Sequence, residues 1–120
     1  MKSANEILDL IEQARGTTAY HRYTILPHFP VITDGVKAVA DAAGCYWLLD
    51  IIGSHQGNGL LDPAFQVWKL VVNKADGSAV VSGYNDTDLA VRQEVGYTDF
   101  PLDEMKLYFI HGVILLPNEY

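Results

Sequence analysis

Four histidines and one carboxylate in an apolar setting are the residues of this chain best suited to acid–base or metal chemistry: His21, His28, His55, His111 and Asp50. No two of the histidines stand four apart, the spacing at which imidazoles on a helix hold zinc, and no cysteine pair accompanies them. A metal site is therefore not expected. His111 belongs to a turn-forming His111-Gly112 pair and His28 lies between Pro27 and Phe29, settings in which a histidine is solvated or locally bonded. Asp50 interrupts Cys45-Tyr46-Trp47-Leu48-Leu49-Asp50-Ile51-Ile52, and a carboxylate in such an element finds a partner or has its pKa raised by desolvation. Ser54 and His55 follow about one helical turn later. Asp50 is a perturbed acid on a pocket wall, or it lies on the single exposed stripe of the helix, or it pairs with Arg22 or Lys37.

Other chemistries lack their parts. Cys45 has no sequence neighbour that would lower its pKa and reads as packing. Gly57-Asn58-Gly59 lacks the lysine of a phosphate-binding loop, and no Gly-x-Ser-x-Gly elbow is present. Tyr46, Trp47, Trp68, Tyr84, Tyr97 and Tyr108 suit a core, or the lining of a cavity. Tyr20-His21-Arg22-Tyr23, with amphipathic bodies and polar tips beside prolines, has the composition of an interface. The candidate binding residues are His21, Tyr23, Tyr46, Asp50 and His55, with no catalytic set, metal or cofactor assigned.

These residues must be positioned by a small number of elements. Ser3 and Glu6 form a capping box for a helix over 3–14, with Ile7, Leu8, Leu10, Ile11 and Ala14 as its apolar stripe and Gly16 as its stop. Residues 18–26 have strand composition, but Pro27 and Pro30 restrict them to an edge strand or extended arm, followed by a loop. Thr33-Asp34-Gly35 caps a second helix over 35–43 with Val36, Val39, Ala40 and Ala43 inward, and residues 45–55 form a third. One continuous helix over 36–55 is the alternative. The 45–55 segment is apolar almost all round, which predicts a buried rod at the centre of the domain.

Beyond Pro63 the apolar period changes to two. Strands are expected over 65–72, 78–84, 89–95, 105–110 and 113–116, with turns at Asp76-Gly77, at 85–88 and at His111-Gly112. The pattern is α+β: two to three N-terminal helices packed on one face of an antiparallel meander of about five strands. With 120 residues, 49% hydrophobic and 19% charged, the chain is a single domain spanning 1–120 with enough core to fold without staples. A net charge of -7 with no basic run argues against direct nucleic-acid binding. One cysteine and no long apolar stretch fit a soluble, cytoplasmic protein, with no membrane partner expected.

Several blocks in one order carry a resemblance: Thr33-Asp34-Gly35-Val36-Lys37, Tyr46-Trp47-Leu48-Leu49-Asp50, Phe65-Gln66-Val67-Trp68-Lys69-Leu70, Tyr97 to Glu104, and Gly112 to Pro117. Together they resemble a family of small proteins of unknown function encoded in bacterial, plasmid and phage genomes. The resemblance implies a single intracellular domain and no assigned reaction. Such proteins carry Asn-Gly where this chain has His111-Gly112.

Two functions follow as expectations. The first is a non-enzymatic binding or regulatory module that uses the 18–32 arm and an open sheet edge to contact a protein or a copy of itself. The second is a small-molecule or hydrolase/isomerase-like pocket between helices and curved sheet, with Asp50, His55, Tyr46 and His21 converging on it.

Overall fold

The computed structural model describes residues 2–14, 19–24 and 29–120. Helix α1, Ala4–Gln13, starts on the expected capping box: Glu6 N donates to Ser3 Oγ at 3.3 Å while Ser3 N donates back to Glu6 Oε1. The stop expected at Gly16 lies outside the described residues. Helix α2, Asp34–Ala43, is capped by Thr33 and buries Val36, Val39, Ala40, Ala42 and Ala43. Gly44 then turns left-handed at φ 64°, a conformation that closes a helix and that glycine adopts without penalty. The continuous 36–55 helix is thereby excluded, and α3 runs separately over Tyr46–Ser54.

Helix α3 is not the fully buried rod its composition suggests. Leu48, Leu49, Ile52 and Gly53 face the core, Tyr46, Trp47 and Ile51 are half-buried, and Asp50 and Ser54 are exposed. A short helix laid on a sheet can bury only part of its circumference, so the charge sits on the outward stripe.

The strands are β1 Tyr20–His21, β2 Val31–Thr33, β3 Gln66–Val72, β4 Ala79–Asn85, β5 Asp88–Val95, β6 Glu104–Ile110 and β7 Val113–Leu115. They form one sheet in the order β1-β2-β7-β6-β3-β4-β5. All neighbours are antiparallel except β2 and β7, which run parallel with Ile32 beside Ile114. The five-stranded antiparallel meander is thus corrected to a seven-stranded mixed sheet. Of the two extra strands, β1 falls at the sheet's edge within the 18–26 segment read as an edge strand or extended arm, and β2 is too short, and too close to Pro30, to show a period of two. The segment 96–103 connects β5 to β6 across the end of the β3–β4 turn. It is fastened there by Thr98 N to Gly77 O and Val72 N to Asp103 O, both at 2.7 Å.

One face of the sheet carries the core. Trp68, Leu70 and Val72 of β3, Val81 of β4 and Met105, Leu107 and Phe109 of β6 pack with the helices into one cluster. Trp68 is 1% exposed because β4 has no side chain at Gly83: a Cβ there would stand 2.7 Å from the indole. The opposite face, with Lys69, Val71, Glu104 and Lys106, is open to solvent.

Candidate functional site

The five sequence-selected residues fall in three places. Strand β1 brings His21 to the start of α2, where Nε2 lies 2.6 Å from Asp34 Oδ1. About two turns further on, Asp41 accepts from Lys37 Nζ at 2.9 Å and from Tyr46 Oη at 2.5 Å. These two donors hold the Asp41 carboxyl below its ordinary range, Tyr46 contributing most. Burial pushes the Tyr46 phenol up to about 12, and its bond to Asp41 adds to the shift. Tyr23 lies beside it, ring centroids 6.4 Å apart, and donates to Leu49 O at 2.9 Å. Its phenol is also pushed up, first by burial and then by the negative charge of Asp50. His21, Tyr23 and Tyr46 therefore clamp the arm onto α2 and α3.

His55 ends α3 on the other side. Its Nε2 is 2.9 Å from Gln93 Oε1, and its ring lies 6.0 Å from that of Trp68. Next to it, fully buried Gln66 accepts from Trp68 Nε1 and Gln56 Nε2, both at 2.9 Å, and donates to Gln56 Oε1 and Asp62 O. Every polar atom of this network has a partner, which fixes the indole and the end of α3 in one arrangement. The space between helices and sheet is filled by Leu48, Ile52, Trp68 and their neighbours. The four polar groups expected to converge on a single pocket there are instead divided between the arm clamp, the Gln93 contact and the outward stripe of α3.

Asp50 borders a groove of a different kind. Trp47, Asp50 and Ile51 of α3 form one wall, and Gln93, Glu94 and Val95 of β5 with Tyr97 and Asp99 form the other, around about 560 Å³. Asp50 and Asp99 and no Lys or Arg line it; Glu94, also on its rim, turns its carboxylate to Arg92 Nη1 at 3.2 Å on the outer face of the sheet. Tyr97 is 73% exposed, a large aromatic surface left in water. Strand β5 is the last of the sheet, so it is hydrogen-bonded to a neighbour on one side only.

Residues 5–120 match the model of a family of unknown function, DUF6876. The chain belongs to that family. No curated protein and no solved structure matches. In this DUF6876 chain the described residues include no group of three or more His, Cys, Asp or Glu able to hold a metal ion. No helix among them is long and apolar enough to cross a membrane.

Sequence reasoning missed a polar residue that joins the C-terminal turn to the start of α2. Glu119, in the 3-10 turn Pro117–Glu119, accepts from Thr33 Oγ1 at 2.6 Å, Gly35 N at 3.2 Å and Leu116 N at 3.0 Å. A Cβ on Gly35 would stand 2.8 Å from this carboxylate, so glycine is required for the approach. The only signal was an Asp-Gly pair opening a helix. Tyr97 was legible only as core or cavity lining, Asp99 only as part of the Tyr97 to Glu104 block, and Glu94 carried no motif at all.

Proposed function

We propose that this DUF6876 protein is a non-enzymatic binding module that receives an extended, cationic segment of a partner protein along β5. The carrying observation is the coincidence of an unpaired strand edge with the Trp47–Tyr97 groove and its two carboxylates, Asp50 and Asp99. A strand added to β5 gains main-chain hydrogen bonds, and every second side chain of that strand enters the groove. Aromatic walls supply contact area, and the carboxylates select Lys or Arg over acidic residues. The net charge of -7 favours the encounter with a basic partner. On the sequence blocks that resemble bacterial, plasmid and phage proteins, we read the module as a cytoplasmic accessory factor of bacterial or mobile-element origin.

The test is an NMR titration with an alternating Lys–Val peptide of about strand length. The amide signals of residues 89–95 and the Trp47 indole signal should move together. Trp47→Ala and Asp50→Lys should each weaken binding about tenfold or more, as loss of an aromatic anchor or a charge partner does. An equal response to a Glu–Val peptide, or none to either, removes the proposal.

A further inference from the structure

We propose that two copies of this chain associate face to face through the open surface of the sheet, on a two-fold axis set by its rows of charge. Strand register places outward side chains in rows perpendicular to the strands. One row is Lys106, Lys69, Ser82 and Arg92, across β6, β3, β4 and β5. The next row, two residues along each strand and about 7 Å away, is Glu104, Val71, Val80 and Glu94. Cations occupy both ends of the first row, and carboxylates occupy both ends of the second.

Within one copy this arrangement is unsatisfied at its lysines, while Arg92 already pairs with Glu94 at 3.2 Å. Lys69 stands directly opposite Lys106, and like charges at paired positions destabilise a sheet. Lys2, Lys37 and Arg92 each have a carboxylate within salt-bridge range, whereas among the described residues Lys69 and Lys106 have none. Their ammonium groups lie instead over the rings of Tyr84 and Tyr108, at 5.0 and 5.7 Å. Between the charges, Val71 is 51% exposed.

A second copy resolves it. A two-fold axis in the interface, parallel to the rows and midway between them, lays each row over the other row of the second copy. Lys106 then faces Glu104 of the second copy, and Arg92 faces its Glu94. Lys69 and Ser82 pack on Val71 and Val80. The same patch serves both subunits, so the assembly closes at two copies, with the sheets stacked about 10 Å apart. This face holds Lys69, Lys106 and Arg92 against Asp86, Glu94 and Glu104, a balance of zero in a chain whose net charge is -7. It is therefore the surface on which two acidic copies repel least. A single-stranded nucleic acid fits less well, because the Tyr84 and Tyr108 rings on which bases would stack already carry lysines. The surface is separate from the α3–β5 groove, which opens on the helix side; only Glu94 borders both.

Sedimentation equilibrium of the full chain, from micromolar to about 1 mM, tests the inference. The expected result is a monomer–dimer equilibrium that weakens with added salt. Lys106→Glu and Glu104→Lys should each weaken it about tenfold or more. The double variant Lys106→Glu/Glu104→Lys should restore it to within about threefold, because the pair is merely reversed across the axis. Both positions are exposed, so thermal melting should confirm that all variants fold. A monomer at every concentration overturns the proposal. So does a dimer indifferent to these substitutions, a swap that fails to restore pairing, or a monomer that instead captures a single-stranded oligonucleotide.

Discussion

At the scale of the residue, what matters most is where a side chain is missing or strained. Gly83 is the seat of the Trp68 indole, and with a Cβ at 2.7 Å neither the ring nor strand β4 can yield cheaply. Gly83→Ala should therefore destabilise by about 1–3 kcal/mol, lowering the thermal midpoint in circular dichroism. His111 adopts φ 47° beside Gly112 at φ 83°, the backbone of a primed hairpin turn. Asn tolerates the left-handed region better than His, so His111→Asn should stabilise by about 0.5 kcal/mol in chemical denaturation. The two clamp phenols have folded pKa values above the unfolded value. The stability they contribute is fully present below pH 10 and is lost as pH rises through the folded value, about 12 for Tyr46. In a spectrophotometric alkaline titration, Tyr23→Phe and Tyr46→Phe should each remove a late-ionising component. If either variant removes signal near pH 10 instead, the clamp is wrong. The pairing of His111 with Gly112 was legible as a turn because its chemistry is local. The seat for Trp68 was not, since nothing in the chain says which strand will lie beside the indole.

At the scale of the element, the sequence reads well wherever an element carries its own punctuation. The Ser3–Glu6 box, the Thr33 cap, Gly44 and the turn residues place α1, α2, α3 and β3 to β7 within a residue or two of their observed ends. Strand β1 was legible only as an edge segment somewhere in 18–26 and β2 not at all: each is two or three residues long and owes its existence to a neighbour from elsewhere. The same is true of the second cap on α2. The Glu119 carboxylate sits where the helix dipole is positive and accepts from Gly35 N, 84 positions away in sequence. Glu119→Gln keeps the shape but removes the charge and leaves one amide donor facing donors. A loss of about 1–2 kcal/mol is expected, with the largest increase in hydrogen exchange at the amides of the first turn of α2. Unchanged exchange there would mean that the carboxylate is incidental. The groove along β5 belongs to this scale as well, since Trp47 and Tyr97 become neighbours only when α3 lies beside the last strand.

At the scale of the whole molecule, the parallel pair β2–β7 decides how the two halves cohere. Without it, α1 and α2 would rest on an antiparallel sheet as a separable layer, which is the architecture that composition and period alone suggest. With it, Ile32 and Ile114, 1% and 0% exposed, are register partners within one sheet, and the helical half is stitched into the strand half. Closing that contact joins residues 82 positions apart (114 minus 32), a loop entropy met only after local hairpins have formed. The pairing should therefore form late in folding. Ile32→Ala and Ile114→Ala should each destabilise by about 2–5 kcal/mol, and the loss should appear mainly as faster unfolding with little change in the refolding rate. Because the two side chains share one contact, the double variant should cost less than the sum of the single ones, by about 0.5–3 kcal/mol. Stopped-flow chevrons of the three variants measure both quantities. Strict additivity, or a slowing of refolding in proportion to the lost stability, would mean that β2 joins the sheet early and that the N-terminal half directs the assembly of the strands rather than following it.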